Sequence, residues 1–132
     1  MSQSSPVRVL GISGSLRKGS FNTAALHAAQ ELLPEGMMLE IADISQIPLY
    51  NDDVRQAGYP PPVQTFREQI AAADALLFAT PEYNFSVSGV LKNAIDWGSR
   101  PLRFSSETMR SLMSERSRPR SPTGPAFIFG GL

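Results

Sequence analysis

The sequence predicts an α/β fold with a parallel sheet, and three observations lead to that prediction. Short apolar runs alternate with segments that carry apolar residues at helical spacing. The run at 75–79 is almost wholly apolar, as expected for a parallel strand covered on both faces. Polar loops follow the first and the third run. This alternation is typical of a parallel sheet flanked by helices, and 132 residues suit one domain.

The elements of the first half follow in chain order. Residues 7–12 are rich in β-branched side chains after a proline, which predicts a buried first strand. Alanine and leucine at helical spacing predict a helix over residues 21–33, which Pro34 and Gly36 end. A second strand is predicted at 38–42.

The second half continues the alternation. Several prolines and a glycine predict that residues 46–62 are irregular. Helical spacing returns at 63–73, and the third strand is predicted at 75–79. Apolar residues at helical spacing also predict a helix over residues 88–98. Core packing explains these apolar residues better than a direct role in binding does. Residues 126–132 are typical of a fourth strand that reaches a glycine turn.

Residues 102–123 differ in composition from the rest of the chain. They carry a net charge of +3, with frequent serine and proline and a weak helical pattern. We interpret them as an irregular, mobile surface segment within a single domain, 1–132. The whole chain has zero net charge, so we expect neither nucleic acid nor an anionic membrane as a partner. A small diffusible ligand is expected instead.

Cysteine and histidine usage restricts the available chemistry. The absence of cysteine removes disulfides, thiolate metal ligands and a cysteine nucleophile. The single histidine, His27, falls within a predicted helix, where we expect it near the surface and away from both polar loops. We therefore predict no metal site. The chain begins with a polar segment and has no apolar run of roughly 18 residues, which predicts a cytoplasmic protein without a membrane span.

The loop at 14–22 has the composition of a phosphate-binding loop. Backbone N–H groups that lead into a helix N-terminus converge on an anion, and glycines permit the required backbone shapes. Ser20 stands where a nucleotide-binding P-loop carries lysine, and no G-x-G-x-x-G occurs, so both standard motifs are disfavoured. A capped helix start would explain Ser20 and Asn22 alone but explains Arg17 less well.

Residues 81–86 form the second polar loop, in which Glu82 and Tyr83 lie beside Asn84. The alternative interpretation is a turn whose Tyr83 covers the core. Ligands of open parallel sheets bind outside the carboxyl ends of the strands, where the strand order reverses, and the two polar loops follow strands 1 and 3. Together the loops predict a phosphate pocket beside a flat aromatic platform.

Three motifs occur in order along the chain: GSLRKGSFN at 14–22, PEYN at 81–84 and SGVLKNAIDW at 88–97. On these motifs residues 7–101 resemble the NADPH-dependent FMN reductases of the flavodoxin-like superfamily, a group that includes bacterial chromate, quinone and azo-dye reductases. The resemblance implies a flavodoxin-like three-layer sandwich with a parallel sheet in the order 2-1-3-4, without the fifth strand of the family.

The resemblance also implies FMN as cofactor, NADPH or NADH as hydride donor, and a small-molecule electron acceptor such as a quinone, an azo compound, free flavin or chromate. Because the flavin carries the chemistry, no catalytic side chain is expected. A homo-oligomer, dimer or tetramer, is implied as well. The implied cofactor-binding residues are Ser13, Ser15, Leu16, Arg17, Lys18, Gly19, Ser20, Phe21 and Asn22 in the first loop and Pro81, Glu82, Tyr83 and Asn84 in the second.

Past Pro101 the resemblance ends. Family members continue through a fourth strand, a loop that completes the flavin site, a helix, a fifth strand and a closing helix, so we expect a shortened or altered C-terminus. Two alternatives to the reductase stay open. One is a non-enzymatic flavodoxin-like electron carrier that binds FMN without reacting with NADPH. The other is an inactive relative that binds flavin weakly or not at all.

Overall fold

The computed structural model of the chain describes residues 5–100 and 126–131. In chain order its elements are β1 (Val7–Ser13), α1 (Phe21–Glu31), β2 (Met37–Ile41), α2 (Asp52–Ala57), α3 (Pro61–Ala72), β3 (Ala75–Thr80), β4 (Glu82–Tyr83), β5 (Ser86–Val87), α4 (Gly89–Gly98) and β6 (Ala126–Gly131).

Four parallel strands form the main sheet in the order β2-β1-β3-β6. The register pairs Leu10 with Glu40 on one side and with Leu76 on the other. From Val9 to Ser13 every residue of β1 is buried, as a central strand requires. The predicted flavodoxin-like α/β fold and its order 2-1-3-4 are confirmed, with β6 as the fourth strand.

Helices cover both faces of the sheet. Helix α1 packs on one face, where a side-chain atom added at Gly11 would lie 3.3 Å from Leu26. Helices α3 and α4 cover the other face, on which Leu10 and Ile12 belong to the main hydrophobic cluster. Other members of that cluster are Phe66, Leu76, Phe78, Leu91 and Ala94. The three-layer arrangement places the ends of β1 and β3 side by side, so the two polar loops lie at one edge of the sheet.

The prediction that residues 46–62 are irregular was wrong in two places. Helix α2 lies within this range, with Asn51 as its N-cap and Gly58, at φ 132°, after its last residue. Helix α3 starts at Pro61, because a proline at the first helical position has no N–H to leave unpaired. Asn51 accepts a hydrogen bond from the backbone N–H of Asp53 at 2.9 Å, so the cap itself starts the helix.

Other boundaries differ by one or two residues. Helix α1 ends at Glu31 rather than at residue 33, and Leu32, its C-cap, is 81% exposed instead of part of the apolar stripe. The predicted mobile segment 102–123 lies outside the described residues, so the single-domain division and the lack of a fifth strand stay predictions. None of the helices in the described part of the chain is long and apolar enough to cross a membrane.

Candidate functional site

The loop between β1 and α1 presents a helix N-terminus to solvent. Ser20 is the N-cap of α1, and its hydroxyl oxygen accepts a hydrogen bond from the backbone N–H of Thr23 at 3.2 Å. The Ser20 N–H donates to the carbonyl of Arg17 at 3.1 Å. Within residues 5–100 the N–H groups of Phe21 and Asn22 have no acceptor, as is usual for the first turn of a helix. These two donors are available to an anion.

Gly14 attaches this loop to the end of the third strand. Its N–H donates to the carbonyl of Ala79 at 2.7 Å, and its carbonyl accepts a hydrogen bond from the Ser88 hydroxyl at 2.5 Å. A side chain has no room at Gly14, because its Cβ would lie 2.6 Å from Thr80 Cβ and 3.0 Å from Ser88 Oγ. Glycine is therefore needed here for close packing between the two polar loops.

The second polar loop is a small β-ribbon rather than an irregular loop. Strands β4 and β5 pair antiparallel, and Asn84 and Phe85 form the turn between them with φ values of 53° and 61°. Two consecutive positive φ values are typical of a type I′ turn, which asparagine favours and phenylalanine does not. The ribbon holds the exposed Tyr83 ring at the edge of the sheet. Phe85 at the turn is 98% exposed.

The first cleft lies between the two loops. It has a volume of about 450 Å³, within the range of small-molecule sites. Residues of the first loop and of the first turn of α1 line one side, and Pro81 and Tyr83 line the other. The lining residues are Ser15, Arg17, Ser20, Phe21, Asn22, Pro81 and Tyr83. Seven of the thirteen predicted cofactor-binding residues thus come together here.

Asn22 carries an unsatisfied polar group in this cleft. The residue is 6% exposed, and its Oδ1 atom is buried without a hydrogen-bond partner in the described part of the chain. An unsatisfied buried amide of this kind costs about 1–3 kcal/mol. A ligand that brings a hydroxyl donor into the cleft would satisfy it.

Arg17 is the one charged side chain among the lining residues of the first cleft. Its Nη2 donates to the carbonyl of Gly19 at 2.7 Å, and its Cζ lies 6.0 Å from the centre of the Phe21 ring. The guanidinium is therefore folded back over the loop. It forms no ion pair with a described carboxylate, and its remaining N–H groups can donate to an anion.

Three of the other predicted residues, Ser13, Leu16 and Lys18, line a second cleft of about 390 Å³ on the β2 side of the first loop. Ser15 and Arg17 line both clefts. Ser13 also forms a 2.8 Å hydrogen bond with the Thr23 hydroxyl. Gly19, Glu82 and Asn84 line neither cleft.

Ser88 and Thr80 pack against Gly14 and support the first loop, although neither was among the predicted site residues. Ser88 is 3% exposed and is the N-cap of α4, so its hydroxyl both accepts from Leu91 N–H, at 3.4 Å, and holds Gly14. A serine just before a predicted helix is a capping signal. Its bond to a loop 74 residues away in sequence depends on the sheet order and could not be read from local pattern.

Among the described residues that line the first cleft there is no histidine and no carboxylate. His27 is exposed on α1, as predicted, with its Nδ1 3.2 Å from Gln30 Oε1. The prediction that it lies away from both polar loops was wrong for the first loop, because His27 lines the second cleft together with residues 15–18. Residues 5–100 hold no group of three or more histidine and acidic side chains that could bind a metal ion. The arrangement can bind an anion and a flat ring side by side, but it offers no nucleophile paired with a base.

Comparison with known proteins gives a consistent result. The chain is 69% identical over 98 residues to an NAD(P)H-dependent FMN reductase of Pseudomonas aeruginosa, covering 74% of this chain and 53% of the relative. It is 56% identical over 99 residues to an NADPH:quinone oxidoreductase of Arabidopsis thaliana, covering 72% and 50%.

Among solved structures, a flavoenzyme NAD(P)H:(acceptor) oxidoreductase from Paracoccus denitrificans superposes with a TM-score of 0.67 at 40% identity, covering 73% of this chain and 52% of that one. The chain thus spans about half the length of the relatives it matches. The family model for NADPH-dependent FMN reductases matches residues 7–113. The chain therefore belongs to the NADPH-dependent FMN reductase family.

Proposed function

We propose that the chain binds FMN in the first cleft and acts as an oxidoreductase that takes hydride from NAD(P)H and passes electrons to a small acceptor. Membership of the family implies FMN as cofactor and NAD(P)H as donor. The observation that carries the site assignment is the buried, unsatisfied Asn22 Oδ1, located beside unpaired helix N–H groups in a cleft of about 450 Å³.

The loop side of the cleft suits the phosphate of FMN. Three kinds of donor meet there: the N–H groups of Phe21 and Asn22, the hydroxyls of Ser15 and Ser20, and the guanidinium of Arg17. The dipole of α1 adds a favourable potential for an anion at this end. Asn22 Oδ1 can accept from a hydroxyl of the ribityl chain, and its NH₂ group can donate to an oxygen.

The ribbon side of the cleft suits a flat ring. Tyr83 is 60% exposed and Phe21 is 76% exposed, both at the rim of the cleft. Aromatic rings left open to solvent in this way gain by stacking against a ligand ring. Pro81 adds a rigid apolar surface to the lining of the cleft.

When bound, FMN accepts a hydride and passes on electrons, so the protein needs no side-chain nucleophile or general base. The chain's own groups have three tasks. The first loop holds the phosphate, Tyr83 and Phe21 flank the ring, and Gly14 and Ser88 fix the distance between the two loops. Preorganised donors of this kind stabilise charge without rearranging during the reaction.

The acceptor class follows from the relatives. Several are named quinone reductases or quinone oxidoreductases, and we extend that acceptor class to this chain. The relatives favour an enzyme over the non-enzymatic electron carrier. The zero net charge supports the same choice, because flavodoxin-like carriers tend to be strongly acidic.

One experiment separates the three interpretations. The purified chain is saturated with FMN, its visible spectrum is recorded, and NADPH is added without oxygen. The proposal predicts bound flavin that loses its oxidised bands, and recovers them when a quinone is added. Bound flavin that stays oxidised would leave only the carrier, and the absence of any bound flavin would leave only the inactive relative.

Two further proposals rest on the sequence resemblance and on composition. We propose a cytoplasmic location and assembly into a homo-oligomer. Multi-angle light scattering of the FMN-loaded chain tests the second proposal. A mass of two or four chains would support it, and a mass equal to one chain would contradict it.

A further inference from the structure

Exposed aromatic rings are concentrated at the first cleft. Of the phenylalanine, tyrosine and tryptophan rings within residues 5–100, three are exposed, those of Phe21, Tyr83 and Phe85. All three lie on the two polar loops. The proposed function uses Phe21 and Tyr83 to flank the flavin. Phe85, the most exposed of the three, does not line the cleft and has no part in holding the flavin.

Phe85 lies at the tip of the ribbon, close to Tyr83. The ribbon pairs Tyr83 with Ser86, so Asn84 and Phe85 alone form the turn between β4 and β5. Because Phe85 is two residues from Tyr83, the Cα atoms of these two residues are within about 7 Å of each other. Tyr83 lines the first cleft. The turn therefore carries the Phe85 ring at the outer rim of that cleft.

The local structure does not favour phenylalanine at this position. Phe85 has φ 61°, in the left-handed region that bulky residues rarely adopt, and glycine is the usual residue at the second position of such a turn. Leaving the ring in solvent also loses the favourable free energy of burying an apolar side chain. Glycine would avoid both costs. Unfavourable backbone conformations of this kind are concentrated at functional sites.

A flat acceptor is the ligand that such a ring can recognise. Aromatic rings gain by offset stacking or by edge-to-face contact with another ring. Phe85 has no charge and no hydrogen-bonding side-chain group, so it offers little to a hydrated inorganic ion. A nicotinamide coenzyme has many polar groups by which a protein can hold it, whereas a small quinone has little besides its ring. Loss of one stacking contact therefore affects a quinone most.

We propose that Phe85 is a specificity-determining residue, whose ring stacks on a flat aromatic acceptor such as a quinone at the mouth of the first cleft. Quinone reduction takes two electrons and two protons. NAD(P)H supplies a hydride by way of the flavin, solvent supplies the second proton, and a hydroquinone leaves. Phe85 acts only by holding the acceptor. This inference rests on the proposed function and adds the residue that selects the acceptor.

The first test measures acceptor binding without any reaction. Isothermal titration calorimetry follows 1,4-naphthoquinone binding to the oxidised, FMN-loaded chain in the absence of NADPH. The variants are Phe85→Gly, Phe85→Leu and the control Leu32→Ala, which removes another exposed apolar side chain at the far end of α1. We expect Phe85→Gly to weaken quinone binding by about tenfold, equivalent to one stacking contact. Phe85→Leu should be intermediate and the control unchanged.

Steady-state kinetics with excess NADPH give a second readout. In Phe85→Gly, kcat/KM for naphthoquinone should fall by a similar factor, while kcat/KM for ferricyanide, which has no ring, should be unchanged. The rate at which NADPH alone reduces the bound flavin should also be unchanged. The urea unfolding midpoint of Phe85→Gly should be equal or higher, because Asn-Gly is a favoured turn sequence. A loss of quinone activity then does not result from misfolding.

Equal quinone affinity in Phe85→Gly and the unmodified chain would overturn the proposal. An equal loss of activity with quinone and with ferricyanide would do so too, because the ring would then act on the flavin rather than on the acceptor. Both results leave the flavin function in place if the unmodified chain loads FMN and NADPH reduces it. A visible spectrum without bound flavin would instead remove the proposed function and this inference with it.

Discussion

Arg17 illustrates at the scale of one residue how the first cleft recognises charge. Its guanidinium is exposed, forms no ion pair with a described carboxylate, and lies over the loop that caps α1. A phosphate is the natural partner for such a group, because the planar fork can donate two parallel hydrogen bonds.

We predict that Arg17→Ala weakens FMN binding by about 10- to 150-fold, the equivalent of a charged hydrogen bond worth about 1.5–3 kcal/mol. Arg55→Ala, on α2, is the matched control and should leave the affinity unchanged. Flavin fluorescence titration measures both. Equal affinities in the two variants would argue against the loop as the phosphate site.

The side chain of Asn22 is expected to favour FMN binding without stabilising the free protein. Its buried Oδ1 has no partner within residues 5–100, so the amide is unfavourable in the free protein. We predict that Asn22→Leu leaves the free energy of unfolding of the FMN-free chain unchanged or raises it, while FMN affinity falls. Urea unfolding and FMN titration of the same preparation check this. A large loss of stability would instead indicate a structural role for the amide.

The side chain of Ser88, unlike that of Asn22, is expected to stabilise the free protein. Its buried hydroxyl caps α4 and donates to Gly14, so Ser88→Ala removes a cap and leaves a carbonyl unpaired. We predict a loss of about 1–3 kcal/mol in the free energy of unfolding, against less than about 0.5 kcal/mol for the exposed control Ser86→Ala. Chemical unfolding curves compare the two. Equal midpoints would show that the hydroxyl does not connect the loops.

At the scale of elements, the residues that precede α3 are held against α4. The carbonyl of Pro48 accepts from Trp97 Nε1 and from Asn93 Nδ2, each at 2.8 Å, and Asn93 Oδ1 accepts from Tyr50 N–H at 2.8 Å. These contacts explain why a segment with several prolines is ordered. Sequence pattern could not predict them, because each joins residues more than 40 positions apart.

The sequence carried weak local signals for the two elements that were not predicted. Asn51 followed by two aspartates is a helix start, but α2 has only six residues and no apolar stripe to reveal it. The ribbon β4–β5 has two residues in each strand. Its turn places Phe85 at positive φ, a position where propensity would argue against a turn. In both α2 and the ribbon, strand pairing and tertiary contacts determine the structure more than local sequence propensity does.

Asp52 at the start of α2 gives a pH prediction. Hydrogen bonds from Arg55, Gln56 and Tyr50 hold the pKa of its carboxyl well below the ordinary value. A lowered folded-state pKa stabilises the protein above the unfolded-state pKa of about 4, and this stabilisation is lost as the pH falls towards the folded-state value.

We therefore predict that the free energy of unfolding falls less steeply between about pH 5 and pH 2 in Asp52→Asn than in the unmodified chain. The difference should be small, since the carboxylate is half exposed and solvent screens it. Thr65→Ala, an exposed neutral position on α3, is the control. Parallel pH profiles for Asp52→Asn and the unmodified chain would contradict the assignment.

At the scale of the whole molecule, the sheet order determines which residues meet. Strand alternation and apolar runs predicted a parallel sheet, the family resemblance implied the order 2-1-3-4, and that order brings the loops after β1 and β3 together. The division of the first loop between two clefts was not predictable. It depends on which way each side chain of a continuous loop points, and Lys18 and Arg17 are adjacent in sequence but differ in the clefts they line.

The central claim is that the cleft between these two loops binds FMN, and an NMR titration tests it most directly. Backbone amide signals of the uniformly ¹⁵N-labelled chain are followed as FMN is added, with Asp53 and Thr65 as distant references. The account predicts the largest shifts at Phe21, Asn22 and Tyr83, with the references unchanged. No saturable shifts, or shifts confined to residues outside the first cleft, would contradict it.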